Sequence, residues 1–390
     1  MKGVAIMKVL ILTAKFGMGH LSASNAIKED ILKFDRNADV KVVDFYEYSM
    51  PVLSKYIYKG FNILIKYGKE LYKLYYSEND KKSANIDLLT KKLAASCQSI
   101  VDEEKPDIIV STFPMISKGV GYYKERTNSK VSLITCITDI SSHYEWITDN
   151  TDKYMVPCDE VRNELIKKGI PAEKLVVYGI PVADKFRKNF EKLSKQKTAT
   201  KSAKVIDMSN YRSKKELLIM GGGLGVLPMS QDFYKKLNEQ ENLHTTIVAG
   251  KNKSLYNMIY NKYENITVLG YTDKVNELME KADCVVTKPG GITMFEAIYS
   301  MTPIISFSTD LPNELHNIDF IISNNFGIAL DDSAENSVEI IVDFVNNSSE
   351  VNSMKESMKN FVLALERGYF ASYVSNVNLA SGDRIKVNNI

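Results

Sequence analysis

Cysteine is scarce, four in 390 residues, at positions 97, 136, 158 and 284 with no C-x-x-C pair. Such spacing speaks against a disulfide framework and suits a reducing compartment. Cys136 and Cys284 stand inside apolar strand-like runs and are expected to be buried thiols. Histidine is equally sparse, four in all and without metal-ligand spacing, and no D-x-D pair is present to hold a divalent ion on a diphosphate. No metal site is expected. Neither charge is in clear excess: 50 basic against 48 acidic residues. That balance disfavours a general nucleic-acid binder, which needs a distinctly basic face. Also missing is any uncharged run near the roughly 20 apolar residues of a spanning helix. The first apolar run is interrupted by Lys8 and passes into a glycine turn without a cleavage-site pattern. The expectation is a cytosolic protein, with surface contact to a membrane left open.

What is present is the composition of a soluble globular chain, 44% apolar and 25% charged, long enough for two or three domains. Residues 284–317 organise it. Cys284, Val285 and Val286 read as a buried strand, Lys288-Pro289-Gly290-Gly291 as a turn, and Thr293, Phe295, Ala297 and Ile298 as the start of a helix. A helix start behind a glycine loop presents unpaired N–H groups and the positive end of a dipole, which favours phosphate. Glu296, in the first turn or so, is placed for ribose hydroxyls. Taken alone, this is equally a plain strand-to-helix connection. Two further glycine loops tip the reading, each after an apolar strand. One is Phe16-Gly17-Met18-Gly19-His20; the other is Gly221-Gly222-Gly223-Leu224-Gly225, whose bare backbone suits close approach to a diphosphate. Ser22 stands where a dinucleotide fold would want its third glycine, which disfavours a dehydrogenase. His20, at the mouth of its turn, is either a proton acceptor or a surface or capping histidine.

Along the chain, strands are expected at 9–13, 40–45, 107–111, 131–138, 154–157 and 176–179, with Pro114 and Gly119 as punctuation. Asp139 ends the fourth of these, where open parallel sheets carry ligands, and faces the crevice of His20 as its orienter or as an alternative base. His143 and Trp146 either line an acceptor pocket or pack. The expected domains are 1–180 and 216–365. Between them lies a lysine-rich linker, 181–215, with a flexible insert near 195–204, and 366–390 forms a helical tail.

The segment 50–76 reads as mainly helical beyond Pro51. Lys55, Lys59, Asn62, Lys66, Lys69 and Lys73 share one face, while Leu53, Ile57, Phe61, Leu64, Leu71 and Tyr75 take the other. Tyrosines 56, 58, 67, 72 and 76 lie between, where amphipathic rings sit at a headgroup boundary. Each lysine near an anionic leaflet is worth about 1 kcal/mol. The other reading is a solvated face on a packed helix.

Residues 16–20, 138–146, 179–182, 221–225, 270–273, 288–296 and 313–317 occur in the order of one family. As a set they resemble the monogalactosyldiacylglycerol synthase and processive diacylglycerol glucosyltransferase group. The resemblance implies an α/β chain of GT-B fold, two Rossmann-like domains facing across a cleft. It implies inverting transfer from a UDP-hexose, without metal or other cofactor, to diacylglycerol or glycosyl-diacylglycerol at the anionic inner face of the cell membrane. His20 would deprotonate the acceptor beside Gly17 and Gly19, with Asp139 nearby. Lys55, Lys59, Lys66, Lys69, Tyr67 and Trp146 would serve acceptor or membrane. On the donor side, Gly221, Gly222, Gly223 and Gly225 line the donor, Tyr271 and Thr272 hold uracil, Gly290, Gly291 and Thr293 the diphosphate, Glu296 the ribose, and Asn313, Glu314 and Asn317 the sugar. The chain departs from the pattern at Pro312 and Asn313, usually glycine and glutamine, and at Ala183, where an arginine is common and Lys185 is the nearby cation. A polyprenyl or soluble acceptor, or a UDP-sugar-binding regulator without activity, are the rival readings.

Overall fold

The computed structural model describes residues 6–80, 88–199, 214–222, 227, 230–330, 337–366, 368 and 373. The chain divides into two units. The first runs to Asp184 and adds Leu311–Asn313 and the described residues from Leu365 on; the second is Lys185–Asp310 with Glu314–Ala364.

The first unit is built in the order β1 (Lys8–Thr13), α1 (Gly19–Phe34), β2 (Asp39–Asp44), α2 (Phe45–Ser49), α3 (Ser54–Tyr67), α4 (Lys69–Asn79), α5 (Leu88–Glu104), β3 (Ile108–Ser111), α6 (Pro114–Thr127), β4 (Ser132–Cys136), β5 (Lys153–Val156), α7 (Asp159–Lys167) and β6 (Leu175–Val177). Its strands form one parallel sheet, β2-β1-β3-β4-β5-β6. Alternation in β1 explains the layering. Val9 and Ile11 pack with Ile27 and Ile31 of α1, while Leu10 and Leu12 pack with Phe45, Leu93 and Ile116 on the other face. Both faces are covered, as parallel sheets require.

The second unit follows as α8 (Asp184–Ala199), β7 (Lys215–Met220), α9 (Gln231–Asn238), β8 (Leu243–Val248), α10 (Lys253–Ile259), β9 (Ile266–Leu269), α11 (Val275–Lys281), β10 (Cys284–Thr287), α12 (Gly291–Ser300), β11 (Ile304–Ser306), α13 (Pro312–Ser323), β12 (Gly327–Ala329), α14 (Ser337–Asn346) and α15 (Ser348–Ala364). Its parallel order, β12-β11-β10-β7-β8-β9, is the doubly wound order of dinucleotide-binding sheets. Leu217, Ile219, Val286 and Ile305 carry its core against Val338, Ile341 and Phe344.

Two expectations change. Pro114 and Gly119 do not punctuate a loop: Pro114 opens α6, where a missing N–H costs nothing. A Cβ on Gly119 would fall 3.0 Å from the Leu93 Cβ, and one on Gly121 2.2 Å from the Thr148 Oγ1, so these glycines let α6 pack closely. The stretch 181–215 is not a plain linker, since α8 occupies its first half and the two units part at Asp184 and Lys185. The segment beyond Pro51 is mainly helical, as expected, in two helices that meet at Gly68. The expected tail, 366–390, lies outside the described residues except at three positions. There Glu366 N–H donates to the Val177 carbonyl at 2.9 Å and Tyr373 meets Ser132 at 2.7 Å, both within the first unit. All four cysteines are buried, and burial pushes each thiol up, that of Cys136 to about 12.

Candidate active site

Both sheets change direction at a switch point, between β1 and β3 in the first unit and between β7 and β10 in the second. The chain leaving the carboxyl ends of those strands is where open α/β sheets place ligands. Leu12 lies opposite Ser111, and Thr287 opposite Met220. Each glycine turn therefore rises beside the next strand's exit.

In the first unit Gly17 takes φ +79, a conformation that glycine adopts without strain, and Gly19 opens α1. This puts His20 in the first turn of α1. Its Nδ1 lies 2.9 Å from the Thr112 carbonyl oxygen and 2.9 Å from the Thr138 Oγ1. A carbonyl only accepts, so Nδ1 carries the hydrogen and Nε2 keeps its lone pair, the tautomer a base requires. Buried hydroxyls brace the arrangement: Ser24 donates to the His20 carbonyl at 2.8 Å and meets the Thr112 hydroxyl at 3.0 Å, which reaches Thr13 at 2.9 Å. Desolvation pushes the imidazole down to about 4, against the Thr112 carbonyl, which favours the charged ring.

Asp139 is not the orienter of His20; Thr112 and Thr138 take that place. Its carboxyl meets the Trp146 indole, its Oδ1 is buried without a hydrogen-bond partner among the described residues, and desolvation pushes it up to about 7. Trp146 is packed at 3% exposure and is not a surface residue. His143 packs as well. Its Nε2 donates to the Tyr76 carbonyl at 2.8 Å, and its Nδ1 accepts from Glu145 N–H at 3.1 Å. Nε2 thus ties the loop after β4 to the end of α4, while Nδ1 is committed within the loop itself.

On α3 and α4, Lys55, Lys59, Lys69 and Tyr67 are exposed; the Lys66 and Tyr75 side chains lie outside the described residues. The apolar stripe is not the expected one. Ile57 and Phe61 turn inward, while Leu53 and Leu71 join Val52, Tyr56, Ile63, Tyr67 and Leu74 on the surface. Lysines and large apolar side chains thus share one exposed face. Among the described residues no helix is long and apolar enough to cross a membrane.

In the second unit Gly221 and Gly222 (φ +66) follow β7, whereas Gly223 and Gly225 lie outside the described residues. Helix α12 starts at Gly291, two residues before Thr293, behind Gly290 as its cap. Gly290 N–H turns back to the Lys288 carbonyl at 2.8 Å. The N–H groups of Gly291, Ile292 and Thr293 find no acceptor among the described residues, and a Cβ on Gly290 would meet open space. Glu296 sits in the second turn, not the first. Desolvation pushes its carboxyl up to about 7, and Lys185 opposes that shift. The Lys185 ammonium rests on the Asp273 carbonyl, beside the Tyr271-Thr272 turn, in which Tyr271 is exposed and the Thr272 hydroxyl accepts from Lys274 N–H at 3.1 Å.

The expected polar turn at 313–317 is the first turns of α13. Glu314 accepts from the Thr309 hydroxyl at 2.6 Å, and the Asn313 Oδ1 is buried without a hydrogen-bond partner among the described residues. Asn317 departs most from expectation: it is buried and its amide donates to the Pro289 carbonyl at 2.7 Å. That bond pins the turn before α12. The sequence signals gave no hint of Thr112, which holds the His20 ring through a main-chain carbonyl that no residue code announces.

Comparison with known proteins follows the same division. The family described as monogalactosyldiacylglycerol (MGDG) synthase matches residues 20–182, and the glycosyltransferase family 28 C-terminal domain matches 216–361. A "Processive diacylglycerol beta-glucosyltransferase" of Bacillus subtilis (strain 168) is 30% identical over 92% of this chain and 92% of its own. One of Bacillus cytotoxicus is 34% identical over 84% of this chain and 83% of its own. Among solved structures, Acinetobacter baumannii MurG superposes with TM-score 0.60 at 11% identity, covering 96% of this chain and 99% of that one. Neisseria meningitidis UDP-GlcNAc 2-epimerase bound to UDP-GlcNAc does so with TM-score 0.56 at 16% identity, covering 96% and 100%. These likenesses establish the fold as GT-B.

Proposed function

The chain belongs to the monogalactosyldiacylglycerol synthase group of family 28 glycosyltransferases, and from that premise we propose that it moves a hexose from a UDP-sugar to diacylglycerol, with inversion, at the inner membrane surface. The observation that carries the reading is that each unit holds one set of the groups such a transfer needs. One unit offers an imidazole whose Nε2 is left free by the tautomer; the other offers an uncapped helix start with a carboxylate one turn further on.

On this reading the acceptor hydroxyl gives its proton to the His20 Nε2 as its oxygen attacks the anomeric carbon from the face opposite UDP. The carbon–oxygen bond to the diphosphate breaks, and UDP leaves with the electron pair. Charge growing on the diphosphate is met by the N–H groups of Gly291, Ile292 and Thr293, fixed donors that need no reorganisation. Glu296 accepts from the ribose hydroxyls. The low affinity of His20 for protons keeps it neutral at physiological pH, ready to act as base. The exposed lysine and apolar face of α3 and α4 supports a lipid acceptor over a soluble one.

The test is incubation with diacylglycerol vesicles and UDP-glucose or UDP-galactose in parallel, each with and without EDTA, followed by mass analysis of the lipid. A mass gain of one or more hexoses, indifferent to EDTA, is expected. An unmodified lipid with both donors rejects the proposal.

A further inference from the structure

The glycine turn that carries His20 is held by side-chain contacts, and two of its anchors, Tyr58 and Phe61, come from α3. Phe16, just before Gly17, is enclosed by four rings. It stacks on Phe113 at 4.9 Å and meets Tyr58 at 4.9 Å, Phe61 at 4.9 Å and Tyr46 at 5.2 Å edge-on. Phe113 in turn meets the His20 imidazole edge to face at 5.1 Å. One residue earlier, Lys15 N–H donates to the Tyr58 hydroxyl at 3.1 Å, and that hydroxyl donates to the Asp44 Oδ1 at 2.6 Å. Asp44 is itself fixed at the end of β2 by the N–H groups of Tyr46 and Glu47, and Lys15 closes the ring on Glu47 at 2.8 Å. Burial first, then the bond to Asp44, pushes the phenol up, so Tyr58 remains a donor.

Phe16, Tyr58 and Phe61 are only half-buried and stand at the carboxyl end of the sheet, outside the fully enclosed core. Tyr58 has both its hydrogen and a lone pair engaged, so it is not offered to substrate.

We propose that Tyr58 and Phe61 of α3 are positioning residues for His20, acting through the Lys15 main chain and the Phe16 ring to hold the 14–19 turn. The proposal rests on the reading of His20 as the base. A misplacement of about 1 Å at a reacting group is enough to cost on the order of 100-fold in rate. Loss of one tether out of several is expected to cost roughly tenfold.

The experiment compares wild type, Tyr58→Phe, Phe61→Leu, His20→Ala and the double variant Tyr58→Phe/His20→Ala. It measures UDP release from UDP-glucose on diacylglycerol vesicles, together with donor KM and thermal midpoint. Tyr58→Phe keeps the ring and removes one oxygen. It is expected to lower kcat roughly tenfold with donor KM and midpoint nearly unchanged, Phe61→Leu to act in the same direction, and Tyr58→Phe to add no loss once His20 is absent. Equal losses in both backgrounds, or wild-type kcat in Tyr58→Phe, overturn the proposal while leaving the base assignment standing. Near-normal turnover by His20→Ala overturns the base assignment and this proposal with it.

Discussion

His20 illustrates how a tautomer is set without a carboxylate. The Thr112 carbonyl fixes the hydrogen on Nδ1, and burial without a charged neighbour among the described residues leaves the ring binding a proton weakly. Its contribution to stability is present above its ordinary pKa near 6.5 and is lost as pH falls toward 4. Removing it as His20→Ala should depress turnover by roughly 10² to 10⁴, the range for a general base, with UDP affinity unchanged. Glu296 has the opposite sign. Its folded-state pKa is raised, so its contribution is present below its ordinary value of 4.5 and is lost as pH rises through about 7. Ionised, it is the stronger acceptor for ribose hydroxyls. UDP-sugar affinity is therefore expected to rise roughly five- to tenfold between about pH 6 and 8 in calorimetry. The Glu296→Gln variant should bind more weakly and without that pH dependence; a wild-type pH profile in Glu296→Gln would remove the assignment.

At the scale of elements, two helices show how packing decides what a residue means. In α6 the glycines at 119 and 121 are contact points, not breaks, because α5 and Thr148 press against them. Gly121→Ala brings a methyl group into the Thr148 hydroxyl, and a loss of about 1–3 kcal/mol is expected from urea unfolding, as in other overpacked cores. Helix α3 faces two ways: its inner side reaches Phe16, and its outer side carries Lys55 and Lys59 among exposed apolar residues. Reversing charge at Lys55, Lys59 and Lys69 together should reduce sedimentation with anionic vesicles at low salt by well over tenfold, given about 1 kcal/mol for each lysine. Unchanged sedimentation would make that face a solvated surface and nothing more.

For the molecule as a whole, period and punctuation revealed most of the strands and the glycine turns at 16–20 and 288–291, since apolar runs ending in glycine have few other uses. The paired Rossmann-like units followed from their repetition. Less was legible wherever a residue works through the backbone or through a neighbour distant in sequence. Thr112 offers a carbonyl, so its side chain gave no hint; Asn317 was assigned to the sugar because its bond to Pro289 depends on α13 folding back to the turn. Asp139 looked like the partner of His20 because both follow strands at one edge, yet the neighbouring Thr138 hydroxyl makes the contact. The apolar stripe of α3 was placed one side wrong because half of it answers to the aromatic cage and half to solvent.

The enclosed thiols have a practical sequel. Maleimide chemistry proceeds through thiolate, and all four native sulfurs are both sheltered and reluctant to ionise. The folded enzyme is in effect a blank background for site-directed labelling. A dye attached at a single new cysteine replacing exposed Tyr67 would report, free of competing signal, whether the outer side of α3 leaves water for lipid.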